Sequence, residues 1–188
     1  MKIVTIDQTD HKVLRVPAQL VSFPISDQDK QFALDLQQQM LDLGNAVGLA
    51  ATQVGKSLQI ISFHITADMV SYRKNITSLV QPTIFINPKY EPIAEEGSYI
   101  DWEGCFSIPG YMGEVPRYNV IHYEAYLLSG EKVSGIARGF LARVLQHEIG
   151  HLNGQLYKDL LTDQCRYGTS DEMFKIRSEE LAKLRSEK

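Results

Sequence analysis

The sequence predicts an α+β fold with antiparallel sheet, and three observations predict it. Apolar residues recur at helical spacing in three separate stretches, and short β-type runs bounded by Pro, Asn and Gly cluster between them. Helix and strand do not alternate strictly, as a doubly wound parallel sheet would require. With 188 residues, 44% hydrophobic and 22% charged, the chain can bury a sizeable core, and disorder, collagen and coiled coil are excluded. No fixed-period repeat, low-complexity tract or Gly/Ser linker divides it, so residues 1–188 are read as one domain.

The first helix is expected over residues 27–43, where Phe32, Leu36, Met40 and Leu43 form a core stripe and Gly44 stands at the C-terminal cap. Strand-like runs follow at residues 58–64, 83–87, 119–127 and 132–136, with Ser129-Gly130 as the hairpin turn between the last two. The second helix is expected over residues 139–152. Phe140, Val144, His147 and His151 stack along one side of it, and Asn153-Gly154 is its stop. A third helix starts near Ser170, where Thr169 and Glu172 have the spacing of a capping box. It continues through Phe174, Arg177, Leu181 and Leu184 to about residue 187, and its many charges predict a solvated face.

Nineteen Lys and Arg against 23 Asp and Glu give a net charge of -4, without the basic excess that a phosphate backbone demands, so no direct nucleic-acid binding is expected. Two cysteines are too few for a disulfide framework, which fits a reducing compartment. Asp7 and Asp10 fall where a secretory signal needs an apolar stretch, and no run approaches the ~18 apolar residues of a membrane span. A cytoplasmic location without membrane association is the expectation.

The chemistry concentrates in His147-Glu148-Ile149-Gly150-His151, an H-E-x-x-H pattern inside the second helix. It sets two imidazoles one turn apart on the same side, able to grip one metal, with Glu148 beside them to handle the proton of a water. A surface helix that merely contains His and Glu is the competing reading. A catalytic metal site needs a third protein ligand. The longer zinc pattern would place a histidine three residues beyond Gly154, where Tyr157 stands, so the ligand must come from elsewhere. Cys105 is the strongest candidate, since Gly104 lets the backbone approach closely and a thiolate binds metal well, although a lone cysteine is more often a small buried hydrophobe. In the segment Val47-Gly48-Leu49-Ala50-Ala51-Thr52-Gln53, Gly48 permits close backbone approach to a ligand and Gln53 offers an amide donor suited to an oxyanion. A packed junction of helix and strand would explain the same small residues.

Together these segments resemble the peptide deformylases, whose motifs are a Gly-rich segment ending in Gln, a Glu-Gly-Cys-hydrophobic-Ser segment, and Gln-His-Glu-x-x-His-Leu-x-Gly. The chain carries Gly48-Leu49-Ala50-Ala51-Thr52-Gln53, Glu103-Gly104-Cys105-Phe106-Ser107 and Gln146-His147-Glu148-Ile149-Gly150-His151-Leu152-Asn153-Gly154, in that order. It departs from the family at Ala46 (usually Gly), Thr52 (usually Pro), Phe106 (commonly Leu) and Gly150 (usually Asp). Glycine inside the metal helix costs about 1 kcal/mol relative to Ala.

The resemblance implies one catalytic domain, with antiparallel sheets packed around a central metal-binding helix and with N-terminal and C-terminal helices. It implies release of formate from the N-terminal formyl-methionine of newly synthesised polypeptides, at the ribosome. Cys105, His147 and His151 would hold one divalent metal, Fe(2+) natively with Zn(2+) or Ni(2+) able to replace it. Glu148 would move the proton, while Gln53 and the backbone N–H of Phe106 meet the charge on the formyl oxygen. The peptide is expected to lie as an added strand against Val47 and Gly48, in contact with Gly104, with its methionine beside Val144 and its downstream part near Arg117. Arg143, one turn before His147, should sit at the pocket margin, its head in water or on a peptide carboxylate. Two competing readings are a zinc peptidase of other specificity and a catalytically idle metal-binding homologue.

Overall fold

The middle of the chain folds into two antiparallel sheets in a computed structural model that describes residues 1–9, 11–71, 73 and 75–186. The strands are β1 (Gly48–Ala50), β2 (Ile60–Ile65), β3 (Val80–Pro92), β4 (Ser98–Cys105), β5 (Ile108–Tyr118), β6 (Val120–Tyr126), β7 (Lys132–Arg138) and β8 (Tyr167–Thr169). The helices are α1 (Asp27–Asp42), α2 (Gly139–Leu152) and α3 (Ser170–Ser186). One sheet has the order β1-β2-β3-β6-β7 and the other β4-β5-β8.

Alternation along β2 and β3 explains why this sheet lies between two helices. Ile61, Phe63 and Phe85 join Val144, Leu145 and Ile149 of α2 in one core, whereas Ile60, Ile84 and Ile86 join Ala33, Leu36 and Met40 of α1 in another. Because both faces are covered, β2 is buried at five of its six positions, Ser62 included. Helix α2 also packs on β5 of the second sheet, so the fold is α+β with antiparallel sheets around a central helix, as expected.

Local chemistry sets the helix ends. The Ser26 hydroxyl accepts from Asp29 N–H at 3.1 Å to cap α1, and Gly44 ends it with φ +71°. Among the described residues no side chain caps α2. Instead the carbonyls of Asn119 and Asn75 accept the N–H groups of Gly139 and Phe140, both at 2.9 Å, which ties the start of the helix to two loops. Thr169 and Glu172 exchange backbone N–H bonds with each other's side chains, as the capping box requires.

The structure adds three features that the sequence reading did not contain. In α3 Arg177 is buried together with Met173, which the sequence reading did not name, while Phe174 is 52% exposed, because Met173 packs on Trp102 and Met112 behind β4 and β5. The side chain of Leu184 and residue 187, both expected in this helix, lie outside the described residues. The strands of the second sheet were not read from their residues, although the resemblance implied more than one sheet. Asp101, Glu103, Gly110, Gly113, Pro116 and Arg117 lie within its strands and are loop-type residues, so no period-2 pattern survives. Finally, β1 and β8 have three residues each, too few to show a period. Among the described residues no helix is long and apolar enough to cross a membrane.

Candidate active site

Helix α2 and the end of β4 bring three ligand atoms together. His147 and His151 stand one turn apart with ring centroids at 5.0 Å, and the Cys105 sulfur lies 3.2 Å from Nε2 of His151. One ligand atom from each of Cys105, His147 and His151 falls within 4.8 Å of the others. A tetrahedral ion with metal–ligand bonds of 2.0–2.3 Å spaces its ligands by roughly 3.3–3.8 Å, so the set fits one metal. Glu103 Oε2 lies 2.8 Å from Nδ1 of His147, leaving Nε2 for the metal in the carboxylate–histidine arrangement common to metal sites. Burial opposes a charge on His147, yet Cys105 and Glu103 raise its pKa to about 10, so the surroundings favour positive charge there. Burial, then His147 and Arg117, hold His151 well below the ordinary histidine range, in the neutral form that ligates.

Glu103 itself is buried in an ionic cluster. Arg117 donates to both its oxygens at 2.9 Å, and Arg143 donates to Oε1 at 2.7 Å. Burial alone would raise the carboxyl; the charge and hydrogen bonds of Arg117, with His147, hold it well below the usual carboxylate range. Arg143 does not keep its head in water. It is 2% exposed, lies over the Tyr99 ring at 4.5 Å, and donates to the carbonyls of Val115 and Tyr99 at 2.9 Å. Arg117 is equally inward, because a buried Glu103 would otherwise be an uncompensated charge.

Glu148 has the opposite surroundings. It too is buried, but Oε2 has no hydrogen-bond partner among the described residues. Burial, only partly offset by His147 and Arg117, pushes its pKa up to about 7. Gly48 is required by this carboxylate, since a Cβ there would fall 2.4 Å from Glu148 Oε1. The close approach expected of Gly48 is thus to Glu148.

The 3₁₀ turn Ala51–Val54 places Gln53. Its Oε1 accepts the buried N–H of Ala50 at 2.9 Å, which aims Nε2 at Cys105 Sγ and Ser107 Oγ, each at 3.3 Å. Thr52 Oγ1 donates to the carbonyl of His151 at 3.3 Å and links this turn to the metal helix.

An open cavity faces these groups, and Val47, Gly48, Gln53, Gly104, Cys105, Phe106, Arg143, Val144, His147 and Glu148 all line it. Neither His151, whose Nε2 is 3.2 Å from the sulfur of Cys105, nor Arg117 is part of the wall. The sequence reading did not single out Glu103 as the partner of His147, although it lies inside a quoted motif. Ser107, Trp102 and Arg73 were missed as well; nothing local in the sequence marks Arg73, which reaches the cavity from the loop between β2 and β3.

Residues 2–167 match the polypeptide deformylase family profile. The chain is 37% identical over 179 residues to peptide deformylase 2 of Rickettsia conorii, covering 94% of this chain and 88% of that protein. It is 39% identical over 170 residues to peptide deformylase 2 of Pseudomonas syringae pv. tomato, covering 88% and 90%. Among solved structures, the peptide deformylase of Synechococcus elongatus in complex with actinonin superposes with a TM-score of 0.73 at 32% identity, over 87% of this chain and 80% of that one. The Ehrlichia chaffeensis peptide deformylase gives a TM-score of 0.73 at 26% identity, over 99% and 97%.

Proposed function

The chain belongs to the polypeptide deformylase family, metal-dependent hydrolases that remove the N-formyl group from new polypeptides, and from that premise we propose how its own residues carry the reaction. The observation that carries the proposal is the Gln53 amide, fixed by Ala50 with Nε2 beside Cys105. An oxyanion donor joined to a Cys/His/His set suits amide hydrolysis at a small acyl group, whereas a general zinc peptidase needs neither Gln53 nor Cys105.

Cys105, His147 and His151 would hold the metal, which when bound supplies Lewis acidity and makes water a nucleophile near neutral pH. The carboxylate of Glu148 takes the proton of the attacking water and hands it to the leaving amine, for which a pKa near 7 is suited. Charge developing on the formyl oxygen is met by Gln53 Nε2 and the backbone N–H of Phe106. Strand β1 is an edge strand, paired through Gly48, Leu49 and Ala50 with β2, and its other edge can take the peptide as an added strand beside Val47 and Gly48. Gly104 bounds the cavity opposite, and Val144 offers apolar wall to the methionine side chain. Arg117 and Arg143 are read as positioning residues that hold Glu103, and through it His147.

The metal is read as Fe(2+), with Zn(2+) or Ni(2+) as substitutes, residues 1–188 as one catalytic domain, and the place of action as the cytoplasm beside the ribosome, where formylated chains emerge. The test is release of formate from a formyl-methionyl peptide by anaerobically purified protein, with internal peptide cleavage measured alongside. Formate without internal cleavage is expected; cleavage alone would establish a peptidase, and neither product an idle metal protein. Peroxide should inactivate the iron form faster than the nickel or zinc form, because a ferrous thiolate centre is open to oxidation. Equal lifetimes would remove the iron assignment.

A further inference from the structure

The place where the longer zinc pattern would put a third histidine is held by Tyr157, which no step above uses. Its side chain is 1% exposed and lies beside the metal ligands all the same. Asn153 and Gly154 stop α2, and the chain turns back into a 3₁₀ turn, Tyr157–Leu160. The Leu156 N–H pins that turn by donating to Asp159 Oδ2 at 2.8 Å. The return brings the Tyr157 ring within 17° of parallel to the His147 ring, with centroids 6.3 Å apart, an offset-stacked arrangement. Its hydroxyl is directed to β5, where it donates to the Tyr111 carbonyl at 3.2 Å.

The imidazole of His147 is thus held along one edge and over one face. Glu103 lies 2.8 Å from Nδ1, and Tyr157 covers the face. A single hydrogen bond tolerates bending of about 30° before it weakens much, so Glu103 alone leaves the plane of the ring soft. A flat neighbour resists that tilt. His147 lines the cavity and Tyr157 does not, so the tyrosine backs the imidazole from the protein side. Tyr157 also belongs to the buried cluster of Ile108, Val115 and Leu156, against which Cys105 packs. One ring therefore bears on two of the three ligands.

We propose that Tyr157 is a positioning residue for the metal, whose ring face, and not its hydroxyl, holds the plane of His147. The position that ligates in the longer zinc pattern here supports a ligand instead. This assignment rests on the metal set of Cys105, His147 and His151 and deepens the deformylase reading of that site.

The experiment loads the protein with Co(2+) and records its visible absorption, the rate of cobalt loss to a chelator, and kcat and KM for formate release from a formyl-methionyl peptide. Tyr157→Phe keeps the ring and should match the wild-type spectrum, with cobalt loss within about twofold, although Tm falls slightly as the Tyr111 carbonyl loses its donor. Tyr157→Leu keeps an apolar side chain without a flat face. It should shift the visible bands, speed cobalt loss by more than about threefold, and lower kcat with KM within about twofold. Where Tyr157→Leu fails to fold, Tyr157→Met, unbranched and able to fill an irregular gap, reads the same three quantities and should move them in the same direction. A Leu or Met variant that loses Tm but keeps the wild-type spectrum and cobalt loss within about threefold overturns the assignment, since Tyr157 then only fills the core. A Tyr157→Phe protein as impaired as the Leu variant overturns it too, because the hydroxyl would then be the acting group. Absence of formate from the wild type would instead overturn the deformylase reading and leave the cobalt measurements to decide the role of Tyr157.

Discussion

Helix α2 carries one buried glutamate, Glu148, and faces another, Glu103 of β4, and the two differ in everything except burial. On the β4–β5 side, Glu103 is bound by Arg117, Arg143 and His147, and its charge is held on. On the β1 side, Glu148 has an oxygen without a hydrogen-bond partner among the described residues and a pKa pushed up to about 7. The first carboxylate cannot change its charge without breaking a buried network, which makes it a fixed support for a metal ligand. The second can gain or lose a proton without such a break. Surroundings, rather than residue type, divide the two tasks.

The comparison breaks most visibly at Glu148. Glu148→Gln removes the proton carrier and no ligand, so turnover should fall by about 10²–10⁴ while metal content and Tm stay near wild type. Metal and activity falling in proportion would make Glu148 structural. Glu103→Gln should do the reverse, lowering stability by about 3–5 kcal/mol as two buried guanidinium groups lose their counter-charge. Metal affinity should fall about 10–100-fold with it, since His147 loses its orienting partner. Denaturant unfolding and metal competition measure both, and a stable, fully loaded Glu103→Gln protein would show the cluster to be dispensable.

Gly48→Ala sharpens the contrast from the other side. The added methyl would fall 2.4 Å from Glu148 Oε1, so either β1 or the carboxylate must shift. A stability loss of about 1–3 kcal/mol is expected. It should be accompanied by a fall in kcat at full metal content, and unchanged kcat would mean that Glu148 needs no fixed position. The smallest effect belongs to Gly150, which touches neither glutamate. A Cβ there meets only Gln155 O and Oε1, both at 3.6 Å, an ordinary contact. Gly150→Ala should therefore stabilise the helix by about 0.5–1 kcal/mol. Gly150→Asp should gain less, because a carboxylate near the helix C-terminus would face those two oxygens. An Asp variant with the higher Tm of the two would show that Gln155 turns its amide to receive it.

Much of this protein was legible where local pattern and tertiary role agree. The stripe of α1, the stop of α2 at Asn153-Gly154 and the hairpin at Ser129-Gly130, where Gly130 has φ +86°, all follow from spacing and backbone conformation. His147, Glu148 and His151 were readable because four residues make one helical turn, so their relation is local. Cys105 and Gln53 could be named only through motifs whose mutual distance the sequence does not contain.

Tertiary structure decided the rest. The sheet of β4, β5 and β8 is held partly by charges that pair across long sequence separations, as Glu103 does with Arg117 and Arg143, and each such residue read singly belongs on a surface. Arg143 illustrates the reason. Its helical position was readable, but whether a guanidinium goes to water or inward depends on a carboxylate 40 residues away, and only the folded chain brings the two within 2.7 Å. Periodicity carries the apolar faces and the one-turn ligand pair; the partner of a buried charge is a property of the packed structure, because desolvation makes that partner obligatory without making it local.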